Sequence, residues 1–197
     1  MKIQYKVRAG LEDSEVDFLP KPALDGSAGY DLVYVPDLSY LDSDEHNKRV
    51  LSQRDTSVLD HNYITAGFDR KDGVSIFYEK DGKVGLYPGQ RFLFPVGFHI
   101  DLPSNVMAQV CSRSGLAGKQ GLQVLNSPGI VDPGFHGELK VILYNASPMV
   151  QMIKPYMRIA QLVFVPFYTP ILELNTEFDS LVSVRGSNGF GSTGTST

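Results

Sequence analysis

The sequence predicts an all-β barrel or sandwich, on three observations. Short stretches rich in Val, Ile, Phe and Tyr recur, as at 74–78, 91–96 and 140–144. The 19 Gly and 12 Pro are spread along the chain and punctuate those stretches, the spacing expected of short strands joined by turns. No segment carries a long amphipathic helical pattern; residues 44–58 come nearest, and their periodicity is weak.

Taken in order, residues 1–35 hold an opening strand and a turn. Residues 36–87 begin with a polar stretch containing Asp42, Asp44 and Glu45. They continue into a hairpin, whose turn is Lys80-Asp81-Gly82-Lys83 because Asp-Gly tolerates positive φ. Residues 88–184 read as a dense run of strands. Residues 185–197 are almost all Gly, Ser, Thr and Asn around one Phe, a composition that by itself predicts disorder. No internal repeat is present. The expected organisation is one domain over 1–184, with 185–197 as a tail.

The 197 residues suffice for one domain with a substantial core. A hydrophobic fraction of 42% and a charged fraction of 20% are those of a globular protein. The net charge of −4 argues against direct nucleic-acid binding through a basic surface. Phosphate chemistry must therefore come from local groups or a metal. The single cysteine, Cys111, excludes a disulfide framework within the chain and fits a reducing cytoplasm. In the alternating run 106–111 it reads as a small buried strand residue rather than a nucleophile. The first residues lack the apolar core of a signal peptide, and no apolar run approaches membrane-spanning length.

Four segments bring together residues suited to chemistry. Ser112-Arg113-Ser114-Gly115-Leu116-Ala117-Gly118-Lys119 follows a strand and gathers a guanidinium, a hydroxyl and Gly-freed N–H groups in one turn. Such a turn suits phosphate oxygens; it also reads as a plain turn ahead of a helix or strand. Asn126 to Glu138 form a turn-rich hairpin that sets Asp132 before Pro133-Gly134, where a lone Asp is usually a turn former. Glu138 reads as a solvent-facing strand residue, His136 as a surface residue and Phe135 as core. In 157–164, Arg158 and Gln161 interrupt an alternating strand, and either can serve simply to satisfy backbone groups. The tail holds Arg185 and Phe190 among its glycines. A plain linker needs neither, whereas a segment closing over a nucleotide needs Arg for a terminal phosphate and an aromatic to stack on the base.

In sequence order, these pieces resemble the five motifs of the trimeric dUTPase family. Ser27-Ala28-Gly29-Tyr30-Asp31-Leu32 resembles the first, and Arg113-Ser114-Gly115-Leu116-Ala117 with Lys119 the second. Gly129-Ile130-Val131-Asp132 through Gly137, with Asn126 upstream, resembles the third. Arg158-Ile159-Ala160-Gln161-Leu162 resembles the fourth and Arg185 through Gly194 the fifth. Any one motif is modest evidence; five in order are specific. The resemblance covers most of the chain except 36–87, which is roughly thirty to forty residues longer than the family's usual connection, far beyond an ordinary loop.

The resemblance implies a jelly-roll-like β-barrel and a homotrimer in which each active site draws on all three chains, residues 185–197 arriving as a flexible arm. It implies hydrolysis of dUTP to dUMP and pyrophosphate with Mg²⁺, which keeps dUTP low and supplies dUMP for dTTP synthesis, in a cytoplasmic setting. Carried over by position, Asp132 is the general base that deprotonates a water for in-line attack on the α-phosphorus. Asp31 holds a water of the Mg²⁺ shell. Arg113, Ser114, Gly115 and Gln161 hold the phosphates, while Arg185, Gly191, Ser192 and Thr193 close over the β/γ end. Asn126, Gly129, Ile130, Val131 and Lys140 belong to the base and sugar site, Phe135 packs on deoxyribose and Phe190 stacks on uracil. Backbone groups of the 126–132 hairpin match uracil's N3–H donor and O4 acceptor, a polarity that cytosine reverses.

Three departures bear on this. Phe135 stands where the family usually has Tyr, which keeps the ring and loses the hydroxyl. Pro133-Gly134-Phe135 and Tyr156-Met157 are closer to dCTP deaminase, a relative of the same fold. Deamination, alone or combined with hydrolysis, is therefore the alternative. Against it, the position of the deaminase's catalytic Glu is Ile142 here, its Arg-Ser-Ser is Arg113-Ser114-Gly115, and the Gly-rich arm belongs to dUTPases. Residues 36–87 read as a surface hairpin and loop extending the barrel. Their length and acidic patch also motivate an unknown binding partner.

Overall fold

The computed structural model describes residues 2–15, 17–22, 24–37, 63–64, 77–79 and 82–175. The chain divides into two compact units, Met1–Phe167 and Tyr168–Thr197. Of the second, the described residues 168–175 form no regular element, and Tyr168, Ile171, Leu172 and Leu174 are exposed.

The first unit is built of strands, as expected. In chain order the first seven are β1 (Gln4–Val7), β2 (Lys21–Pro22), β3 (Gly29–Val33), β4 (Tyr63–Ile64), β5 (Phe77–Glu79), β6 (Val84–Leu86) and β7 (Arg91–Pro95). There follow β8 (Phe98–Asp101), β9 (Val106–Cys111), β10 (Leu122–Val124), β11 (Gly129–Val131), β12 (Lys140–Asn145), β13 (Gln151–Ile153) and β14 (Arg158–Pro166). One short helix among the described residues, α1 (Ser114–Gln120), joins β9 to β10. It replaces the turn expected at 112–119 and ends at Gly121, whose N–H donates to Ala117 O (3.2 Å). No helix among the described residues is long and apolar enough to cross a membrane.

Every strand pair among the described residues is antiparallel. The described strands form sheets in the orders β1-β8, β10-β12-β7, β11-β9-β14-β3-β2 and β13-β6-β5-β4. Alternating side chains from these sheets fill one main core, in which Leu32, Tyr34, Phe94, Leu143 and Leu162 are fully buried. Tyr34 and Phe94 meet edge to face at 4.9 Å, the geometry aromatic rings prefer.

The five-stranded sheet determines where the site lies. Along β9, Val106, Ala108 and Val110 point into the core, while Met107, Gln109 and Cys111 are partly exposed on the other face. Cys111 is thus a half-buried outward residue, not the buried one expected, because the alternation of β9 ends on its outer phase. Burial still pushes its thiol up from the ordinary value.

Much of 36–87 lies outside the described residues, including 44–58, Lys80 and Asp81. The parts described join a sheet: β5 pairs with β6, and β4 pairs with β5 at the sheet edge. Gly82 has φ +82°, as the hairpin expectation requires, and its Cα faces Pro36 and Pro155 so closely that a Cβ would lie 3.1–3.3 Å from them. Within the same stretch, Val84 and Leu86 of β6 are fully buried.

Candidate active site

Asp31 lies at the centre of the polar cluster on the outer face of the five-stranded sheet. Strand register sets Gln161 of β14 directly opposite Asp31 of β3, and Cys111 of β9 directly opposite Gln161. Arg113, two residues beyond Cys111, turns back so that its Nε donates to Asp31 Oδ1 (2.8 Å). Its Nη1 donates to the backbone O of Arg158 (3.1 Å). Arg158 in turn donates from Nη1 to Asp31 Oδ2 (3.1 Å). Asp31 therefore carries a guanidinium on each oxygen. The Gln161 amide donates to Ser112 O (2.9 Å), and Ser112 Oγ accepts from Val124 N (2.8 Å). Ser114 and Gly115 are exposed in the first turn of α1, where N–H groups lie beyond reach of the helix's own carbonyls.

Gly29 makes this packing possible. A Cβ there would come within 2.3 Å of Gln161 Oε1 and 3.2 Å of its Cδ. The Gln161 side chain lies across the space that any other residue at 29 would occupy. A Gly inside a strand pattern is the sequence signal for such a close approach; the motif containing Gly29 was legible, its role was not.

The second group of residues lies on the 126–140 segment. β11 pairs with β9, with Gly129 opposite Val110, Ile130 opposite Gln109 and Val131 opposite Ala108. The Asn126 amide folds over Gly129, where a Cβ would lie 3.0 Å from Nδ2. Val131 is buried, while Ile130, Asp132 and Lys140 are exposed. Asp132 opens a turn in which its carbonyl accepts from Phe135 N (3.2 Å). Phe135 is not core: it is 45% exposed, and its ring lies over Gly137, where a Cβ would be 2.7 Å from its Cζ. His136 is exposed, as expected, and its carbonyl accepts from His99 Nδ1 (2.9 Å).

Glu138 departs from expectation. It belongs to no strand, and its side chain is 13% exposed. Its Oε1 accepts from Arg8 Nη1 (3.0 Å) and from Gly97 N (2.8 Å). Arg8 also donates from Nη2 to Pro36 O (2.7 Å). The partner that draws Glu138 inward lies 130 residues away in the chain, which no local pattern reveals.

The structure brings Asp31, Arg113 and Gln161 together with Arg158, which the sequence marks as an interruption without a role. It does not bring Asp132 to them. Asp132 follows Val131, which sits opposite Ala108, so it lies at the Met107 end of β9. Arg113 lies beyond the other end, six residues along the chain, or roughly 20 Å at strand rise. Arg185, Phe190, Gly191, Ser192 and Thr193 lie outside the described residues.

The donor set bears on metal binding. Among the described residues, no group of three or more His, Cys, Asp or Glu side chains gathers that could hold an ion. One carboxylate, Asp31, flanked by cations does not suit an ion caged by protein. It does suit Mg²⁺, which keeps several waters and is held largely by substrate phosphates.

Known proteins resemble this one in sequence and in fold. The family model for dUTPase matches residues 73–194. The chain is similar to the deoxyuridine 5'-triphosphate nucleotidohydrolase of Brucella melitensis, 40% identical over 131 residues that cover 66% of this chain and 80% of that one. The corresponding protein of Chlamydia trachomatis is 39% identical over 132 residues, covering 67% and 88%. Among solved structures, a variant of the Staphylococcus bacteriophage 80alpha dUTPase with dUpNHpp superposes with a TM-score of 0.65 at 22% identity, covering 98% of this chain and 99% of that one. A variant of the dUTPase from phage phi11 of S. aureus, whose structure reveals the coordination of a structural Mg(II) ion, has a TM-score of 0.56 at 18% identity, covering 91% and 99%. At these identities the two structures speak for the fold.

Proposed function

The chain belongs to the dUTPase family and is a dUTP diphosphatase, and from that premise we propose how its residues divide the work of splitting dUTP into dUMP and pyrophosphate. The observation that carries the reading is the cluster Asp31–Arg113–Gln161, assembled from β3, β14 and the end of β9 at the family's motif positions. Arg113, with Ser114, Gly115 and Gln161, binds the triphosphate. Asp31 would hold a water in the shell of the Mg²⁺ that accompanies the nucleotide. That ion, when bound, offsets charge on the phosphates and on the departing pyrophosphate.

Asp132 takes a proton from water. The water oxygen forms a bond to the α-phosphorus as the bond from that phosphorus to the bridging oxygen breaks, releasing pyrophosphate. No covalent enzyme intermediate is needed; catalysis is positioning and charge stabilisation. The exposed Phe135 ring offers a flat apolar surface to the deoxyribose, and its hydroxyl-free edge leaves that role intact. The 126–131 backbone, with Lys140 nearby in the chain, forms the base and sugar site. Arg185, Phe190, Gly191, Ser192 and Thr193 close over the phosphates and base.

The separation of Asp132 from Arg113 supports a shared site. Two groups at opposite ends of one strand suit a single nucleotide when they come from different copies of the chain. The outer sheet face supplies the contact surface: Met107 is opposite Val165, and Ile130 and Val163 both flank Gln109. This partly exposed, uncharged face is continuous with the site residues, and its occupant is a second copy in a closed homotrimer.

The test resolves the products from each dNTP incubated with the protein and Mg²⁺. Pyrophosphate and dUMP from dUTP alone are expected. Ammonia released from dCTP would instead indicate the deaminase chemistry, for which Ile142 on β12 supplies no carboxylate. Asp132→Asn should bind dUTP and barely turn it over. Truncation after Val184 should keep the trimer and lose most activity; full activity would refute the closing-arm role.

A further inference from the structure

We propose that Arg158 is a displaceable counter-cation for Asp31, occupying one oxygen of the carboxylate that would hold the hydrated Mg²⁺. The proposal rests on the reading of Asp31 given above and extends it to a residue with no assigned part in the site.

The two guanidiniums on Asp31 are not equivalent. Arg113 is 26% exposed and tied twice, to Asp31 Oδ1 at 2.8 Å and to the Arg158 carbonyl at 3.1 Å. Arg158 is 59% exposed and reaches Oδ2 at 3.1 Å. An exposed ion pair held by a long side chain is weak and easily exchanged. The Arg158 backbone is held independently, by Arg113 at its carbonyl and by its pairing with Val33 of β3. The guanidinium can therefore leave Asp31 without disturbing β14.

Strand geometry shows that Arg158 is aimed at Asp31 by construction. The register between β14 and β3 shifts between Arg158 and Ala160, so that Arg158 pairs with Val33 and Ala160 with Leu32. Ile159 and Ala160 are consequently both buried, and the strict alternation of β14 breaks there. Regular alternation back from the outward Gln161 would turn Arg158 into the core. The bulge returns it to the outer face that carries Asp31. Bulges of this kind re-aim side chains beside functional sites.

Asp31 thus carries a cationic partner on each oxygen, one of them the exposed Arg158. Arg158 would have to release Asp31 before that carboxylate could hold a hydrated cation, so Arg158 would raise the Mg²⁺ concentration that nucleotide binding requires.

The experiment is a calorimetric titration of Mg²⁺ into the full-length protein at saturating dUpNHpp. Arg158→Met removes the charge and keeps the apolar stem. It should lower the half-saturating Mg²⁺ concentration about two- to five-fold, the range set by an exposed pair. Arg158→Lys should restore the wild-type requirement. In an Asp31→Asn background, Arg158→Met should have no further effect. An unchanged or raised requirement in Arg158→Met, failure of Arg158→Lys to restore it, or an equal drop in the Asp31→Asn background would overturn the proposal. Failure of the wild-type protein to bind dUpNHpp with Mg²⁺ would instead overturn the functional reading on which it stands.

Discussion

Gly29→Ala adds one methyl group to the site and forces the Gln161 side chain to move. The new Cβ would stand 2.3 Å from Gln161 Oε1, with Cδ at 3.2 Å. Ordinary contact distances are about 3.5 Å, so the amide must retreat by about 1 Å. The obstructing atoms are the far end of a side chain, and the backbones of β3 and β14 can stay in register. Losing the Gln161–Ser112 hydrogen bond of 2.9 Å costs about 1 kcal/mol. Replacing a strand Gly by Ala returns about 0.5–1 kcal/mol. The two nearly cancel, so the melting temperature should shift by no more than about 4 °C. Activity should not be spared. A 1 Å misplacement of a positioning group costs about a hundredfold in rate. The assay is kcat/KM for pyrophosphate release from dUTP, run beside thermal unfolding. A variant that keeps activity within a few-fold of wild type would refute the argument that the Gln161 amide is held in place for the phosphates. A loss of more than about 3 kcal/mol in stability would show that the backbone, not the amide, had given way.

Three further predictions concern groups outside the cluster. Asn145 is fully buried; its Nδ2 donates to Leu86 O and Met149 O, and its Oδ1 accepts from Ser147 N and Oγ. Asn145→Ala should cost about 3 kcal/mol through unpaired groups, measured by denaturant unfolding, and an effect below about 1 kcal/mol would contradict this. Glu138→Ala should destabilise by about 2–3 kcal/mol by leaving Arg8 without its carboxylate. Glu138→Gln, which keeps an acceptor for Gly97 N, should cost clearly less, and equal losses would show that charge alone matters. Cys111, its thiol pushed up by burial, should alkylate with iodoacetamide more slowly at pH 8 than a free cysteine; an equal rate would refute that.

Local pattern was enough to reveal the strand-rich architecture and the Gly82 turn, whereas Asp31 and Asp132 were marked only by the resemblance to the family's motifs. It was not enough for relations that depend on register. Nothing near Glu138 announces Arg8, and nothing near Arg158 announces Asp31, 127 residues earlier. Both pairings arise when strands distant in sequence are set side by side. Phe135 looked like core because apolar residues usually are; its place in a turn over Gly137 keeps it outside. The short helix α1 was hidden by two glycines, Gly115 and Gly118, whose low helix propensity is overridden by Leu116 packing into the core.

The distance between Asp132 and Arg113 along β9 has a genetic corollary. A chain crippled at one end of the strand still carries a sound half-cleft at the other. Asp132→Asn and Arg113→Ala chains, each inert by itself, should complement one another once unfolded together and reassembled. With random assortment, roughly a quarter of the clefts would combine the intact carboxylate of one allele with the intact guanidinium of the other.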